Sequence, residues 1–165
     1  MVYVIIVIFD NILIINLFIK PYTMKRNGDI IIIEDDADDW EMLLEVFGEV
    51  IDEQKYNNRV IIFEDSTMVV DYLKESPSEI FMILSDINMP LLNGFELRAS
   101  IYNIPALCKR CMPYIFLTTA CNKDQVKKAF ELSAQGLFEK PTSFLDYKKL
   151  ISEIMRYWKH SMIPQ

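Results

Sequence analysis

The chain has 165 residues, enough for one domain of ordinary size that buries a substantial core without disulfides or metal staples, and a second folded domain is not expected. Residues 29–165 carry 23 acidic against 14 basic side chains, a net charge of −9, which disfavours direct binding to nucleic acid. Three cysteines, an odd number with one close pair at Cys108 and Cys111, argue against a disulfide framework and for reduced cytosolic thiols.

In chain order, the first feature is a hydrophobic extension over residues 1–23. Val2 to Ile19 approaches the length of a membrane span, but Asp10 falls at its centre, where a charge costs about 2.5–3.5 kcal/mol. The stretch also lacks the cationic start and cleavage site of a secretory signal. Met24 followed by Lys25 and Arg26 reads as a natural beginning for a domain over 24–165. The extension is therefore expected to reflect an upstream start assignment or, alternatively, to act as an amphiphilic anchor.

After Gly28, short apolar runs alternate with segments of helical period. Strands are predicted near 29–34, 59–64, 80–85, 113–118 and 136–139. The first helix places Trp40, Leu43, Leu44, Phe47 and Ile51 on one stripe behind an acidic start, where Asp36, Asp38 and Asp39 suit the helix dipole. Two more helices follow near 66–75 and 94–104. The basic connection from Cys108 to Pro113 reads as a solvated loop or, alternatively, a partner contact. Asn122 caps the fourth helix, which is expected to bury Val126, Phe130 and Leu132 or Ser133. Ser143, with Asp146 three residues on, caps the last, expected to bury Leu145, Leu150, Ile154 and Trp158.

Five strands alternating with five helices imply an open, doubly wound α/β sheet with helices on both faces, and such sheets place ligands beyond the carboxyl ends of the strands. Glu34, Asp35, Asp86, Thr118 and Lys140 all fall at those ends. Three carboxylates brought together there repel one another unless a divalent cation neutralises them, and a small oxygen-only ligand set favours Mg2+. A zinc site is disfavoured, because Cys108 and Cys111 would need Cys121 and His160 from other elements.

The order of these signals is specific: an acidic pair at Glu34 and Asp35, Asp86 about 50 residues later, Thr118 about 30 beyond that, and Lys140-Pro141 about 20 further on. In this the chain resembles the bacterial response-regulator receiver domains, over about residues 29–158. The resemblance implies a flavodoxin-like sheet of strand order 2-1-3-4-5 and a stand-alone, cytoplasmic receiver that is not an enzyme beyond its own phosphorylation and dephosphorylation. It implies that Asp86 is the phosphoacceptor and that Asp35, Asp86 and the main-chain carbonyl of Asn88 coordinate Mg2+ directly, with Glu34 acting through water. Lys140 and Thr118 would contact the phosphoryl group. Thr119 would line the same pocket, Asn88 and Ala120 would border the water path, and the Lys140–Pro141 peptide would be cis. The implied partners are a sensor histidine kinase or histidine phosphotransfer protein and an unknown target.

Where receivers commonly carry an aromatic residue three positions before the lysine, this chain has Leu137, so the usual relay to the output face is expected to be altered. Phe138 should point to the opposite side of the strand. Two other readings stand beside the receiver. A pseudo-receiver that binds protein without phosphorylation is disfavoured by the intact Asp86, Thr118 and Lys140. A magnesium-dependent phosphohydrolase of similar architecture would need a second acid where Asn88 stands.

Overall fold

The computed structural model describes residues 3–9, 12–18 and 26–161. Two antiparallel strands, β1 (Tyr3–Phe9) and β2 (Ile12–Phe18), pair with each other. The boundary drawn between residues 23 and 24 lies outside the described residues. Among those described, no helix is long and apolar enough to cross a membrane.

The main sheet contains β3 (Asp29–Ile33), β4 (Val60–Phe63), β5 (Ile80–Ser85), β6 (Tyr114–Thr118) and β7 (Gly136–Glu139). All pairs are parallel and the order is β4-β3-β5-β6-β7, the expected 2-1-3-4-5 when the five are numbered from Asp29. Residues of β3, β5 and β6 are buried throughout, as expected of central strands covered on both faces, while those of the edge strands β4 and β7 are partly exposed or exposed.

The connecting helices are α1 (Ala37–Gln54), α2 (Val69–Glu75), α3 (Gly94–Asn103), α4 (Pro105–Cys108), α5 (Lys123–Glu131) and α6 (Phe144–His160). Strand alternation divides the core into two layers. Ile30, Ile32, Met82, Leu84, Ile115 and Leu117 face α1 and α6, whose Phe47, Val50, Ile151 and Met155 pack on them. Ile31, Ile33, Ile83, Tyr114 and Phe116 face the opposite layer, with Leu73 of α2, Phe95 and Ile101 of α3 and Ala129 of α5.

Asn122 and Ser143 cap α5 and α6 as expected, each accepting a hydrogen bond from the backbone three residues on. The buried faces differ in detail. In α1, Val46 and Val50 join Leu43 and Phe47 inside, and Leu44 turns outward. Ala129 rather than Phe130 is buried in α5, and Phe130 is 58% exposed. In α6, Tyr147, Ile151, Ile154 and Met155 form the stripe, leaving Leu145 76% exposed and Leu150 and Trp158 half-buried. Phe130 lies in the last turn of α5 and Leu145 in the first turn of α6, where an exposed large apolar side chain is ordinary.

The α3 helix ends at Asn103, because Pro105 disfavours helical backbone at Ile104, which is extended at φ −92° and ψ 109°. Pro105 then opens the extra turn α4, which the expected five-helix alternation lacked. The following basic connection is not simply solvated. Arg110 donates to the carbonyls of Leu73 and Ser78 at 2.5 and 2.7 Å, fastening it beside the end of α2.

Candidate functional site

The carboxyl ends of β3, β5, β6 and β7 deliver Glu34, Asp86, Thr118 and Lys140 to one rim. Backbone bonds fix their heights: Glu34 N–H donates to Phe63 O at 3.0 Å, Asp86 N–H to Ile33 O at 3.0 Å, and Lys140 N–H to Thr118 O at 2.8 Å. Past Asp86 the chain turns through Pro90 into α3, capped by a reciprocal Asn93–Glu96 box. Gly94 opens that helix directly against the Asp86 carbonyl.

Carboxylate oxygens of Glu34, Asp35 and Asp86 lie within 4.8 Å of one another, and among the described residues this is the one group of three or more potential metal ligands of its kind. Cys108, Cys111 and Cys121 are free, and they form no such group with His160. Glu34 and Asp86 are buried, whereas Asp35 is exposed. Asp86 Oδ2 accepts from the Asn88 N–H at 2.9 Å, while Oδ1 is buried without a hydrogen-bond partner. Such an orphan is costly unless something cationic or hydrogen-bonding meets it, so the donor set fits a hard divalent cation.

Lys140 enters from the β7 side with its side chain only 6% exposed. Its Nζ donates to Glu34 Oε2 at 2.7 Å and Asp39 Oδ2 at 2.6 Å, and stands 3.8 Å from Asp86 Oδ1. Burial alone would push the ammonium pKa down, but the bonds to Asp39 and Glu34 outweigh it and raise it. Burial dominates at Glu34, lifting its carboxyl to about 7 against the pull of Lys140. The two effects oppose each other at this pair, and desolvation of a carboxylate with so little water contact decides the direction.

Thr118 is fully buried at the end of β6, where its hydroxyl accepts from Asn88 Nδ2 at 3.3 Å and donates to Ala120 O at 3.4 Å. Asn88, Thr119 and Ala120 are exposed beside it. No peptide bond among the described residues is cis, so the Lys140–Pro141 bond is trans, a correction to what the resemblance implied. The trans form is the default for such a bond by about 0.5–1 kcal/mol, and the lysine reaches the rim from it. Leu137 packs into the layer of Phe116 and Ala129, whereas Phe138 packs into the opposite layer, as the strand alternation required.

Two residues at the rim escaped sequence reasoning. Asp39, read only as part of a solvated helix start, binds Lys140, which lies 101 positions along the chain, so no local spacing pointed to the pair. Tyr147 of α6 is buried with an unpartnered hydroxyl, whose pKa burial raises while Lys140 pulls the other way. No local pattern pointed to it.

Residues 30–152 match the family described as response regulator receiver domain. The probable methanogenesis regulatory protein FilR2 of Methanothrix harundinacea is 26% identical over 133 residues, covering 78% of this chain and 82% of that protein. Response regulator Rcp1 of Synechocystis is 28% identical over 134 residues, covering 78% and 87%. Among solved structures, the Mn(2+)-bound form of Rcp1 superposes with a TM-score of 0.71 at 26% identity, over 84% of this chain and 99% of that one. The phosphorylated cyanobacterial phytochrome response regulator RcpA gives the same TM-score and coverage at 21% identity.

Proposed function

This chain belongs to the response regulator receiver domain family, the signalling modules of two-component systems, and on that premise we propose that Asp86 accepts a phosphoryl group. The observation that carries the reading is Asp86 Oδ1, a buried carboxylate oxygen without a hydrogen-bond partner beside Glu34, Asp35 and Lys140. Glu34, Asp35, Asp86 and the main-chain carbonyl of Asn88 would hold Mg2+, which supplies charge neutralisation at the phosphoryl oxygens when bound. The Mn(2+)-bound Rcp1 relative supports a divalent ion of this kind.

In the proposed transfer an oxygen of Asp86 attacks the phosphorus of a phosphohistidine on a sensor kinase or phosphotransfer protein. The P–N bond breaks with its electrons going to the ring nitrogen, the imidazole departs neutral because its other ring nitrogen already carries a proton, and an acyl phosphate remains on Asp86. Asn88 N–H orients the carboxylate, Lys140 compensates charge, and Thr118 offers its hydroxyl to a phosphoryl oxygen. Thr119 lines the same pocket, and Asn88 and Ala120 border the approach of water for the later hydrolysis. The phosphorylated 24–165 domain then signals in the cytoplasm through contacts with a target protein rather than with nucleic acid.

Incubation with a small phosphodonor and Mg2+ is expected to add one phosphoryl mass to the full chain and none to Asp86→Asn, because an amide is not a nucleophile of this kind. Intact-mass spectrometry reads this. A wild type that binds Mg2+ and stays unmodified would favour the phosphorylation-independent protein-binding module.

A further inference from the structure

Asp39 holds Lys140 by a contact that the proposed chemistry does not use. One turn into α1, its carboxylate receives the shortest of the three approaches that Lys140 Nζ makes: 2.6 Å, against 2.7 Å to Glu34 and 3.8 Å to Asp86. An ammonium has three donors, and two are committed here to charge-assisted bonds. The separation from Asp86 exceeds hydrogen-bond length. Both acceptors that hold the lysine therefore come from the β3 end and α1, away from the loop that carries the phosphoacceptor.

The two bonds are unequal in what breaking them entails. Glu34 is 3% exposed, so little water can replace the lysine there, whereas the Asp39 side chain is 34% exposed and can be hydrated as the lysine leaves. The Asp39 bond is the one that can open.

Resting on the phosphoacceptor reading above, we propose that Asp39 is a positioning residue that holds Lys140 back from Asp86, so that a phosphoryl group on Asp86 gains the lysine only by drawing it off Asp39. Asp39 then sets how readily the phosphorylated arrangement forms without touching the phosphoryl group. Its removal favours that arrangement, an effect opposite in sign to removal of Lys140.

The test compares the full wild-type chain with Asp39→Ala and the near-isosteric Asp39→Asn. Beryllofluoride is titrated with Mg2+ present, and the midpoint is expected to fall about three- to tenfold in Asp39→Ala and less in Asp39→Asn, whose amide oxygen still accepts from Lys140. Midpoints that stay unchanged or rise overturn the proposal, including where thermal stability alone drops. In parallel, the Lys140 ammonium is followed by nitrogen NMR in EDTA, where its hydrogen-bonded, slowly exchanging signal is expected in wild type and lost or shifted in Asp39→Ala. A signal indifferent to the substitution also overturns it. If wild type fails to bind beryllofluoride, the phosphoacceptor reading is what fails, and the ammonium signal decides the hold of Asp39 on Lys140 independently.

Discussion

The α-carbon of Gly94 lies so close to the Asp86 carbonyl that a methyl group there would sit 2.1 Å from the oxygen. Neither side can yield cheaply, since Gly94 N–H is bonded to Ile87 O at 3.0 Å and Asp86 N–H to Ile33 O. Gly94→Ala is therefore expected to destabilise by about 3 kcal/mol and to disturb the loop that carries the phosphoacceptor. Gly48, inside α1, has nothing within 4 Å of an added Cβ, so Gly48→Ala should stabilise by about 0.5–1 kcal/mol. Urea denaturation of the two variants checks both signs, and equal effects would contradict the crowding argument.

Glu34 gives stability a particular pH dependence when metal is chelated. Burial raises its folded-state pKa to about 7, against an ordinary value of 4.5, so between these values the folded protein binds more protons than the unfolded chain. By linkage, stability is greatest below about 4.5 in this contribution and falls as pH rises to about 7, over a range of a few kcal/mol. Glu34→Gln should flatten that window in melts recorded in EDTA. Because a cation must displace the same proton, Mg2+ affinity should increase from pH 6 to pH 8 in wild type, as calorimetry would read.

What was legible in the sequence followed from local signals. Ile30–Ile33 and Ile80–Leu84 read as central strands because a run of apolar residues fits a strand covered on both faces, and Asn122 and Ser143 read as caps from their own side chains. The rim residues came together because parallel strands put all their carboxyl ends on one side. The pairing of Lys140 with Asp39 spans 101 positions and leaves no periodic trace. Phe130 and Leu145 misled because large apolar residues at helical spacing need not face the core. Arg110 looked solvated because its carbonyl partners, Leu73 and Ser78, belong to a different part of the chain.

The contacts of Arg26 and Gly28 bear on the domain boundary proposed near residue 24. Asn58 Nδ2 donates to the carbonyls of Arg26 and Gly28 at 3.0 and 2.7 Å, and Lys159 Nζ donates to Arg26 O. Removal of residues 1–23 leaves these partners in place and should preserve cooperative unfolding and Mg2+-dependent phosphorylation. Removal of residues 1–28 takes the acceptors from a buried amide and a buried ammonium, and should lower stability by roughly 2 kcal/mol or more. Loss of a cooperative transition in the shorter deletion would show that the domain begins earlier.

Leu137 bears on how far phosphorylation is felt. Thr118 is already fully buried, with its hydroxyl 3.3 Å from Asn88 Nδ2, and Leu137 sits half-buried against the layer of Phe116 and Ala129. A branched aliphatic side chain there has no ring to exchange between an outer and an inner position, and coupling to a distant surface requires an element with two discrete arrangements. Beryllofluoride with Mg2+ should therefore shift amide signals strongly around Asp86, Thr118 and Lys140, but only modestly on the exposed faces of α5 and α6. Leu137→Tyr should extend the shifts toward α5, because a ring at this position supplies the missing alternative. Large changes across residues 123–131 and 144–160 in the wild type would mean that another side chain carries the switch.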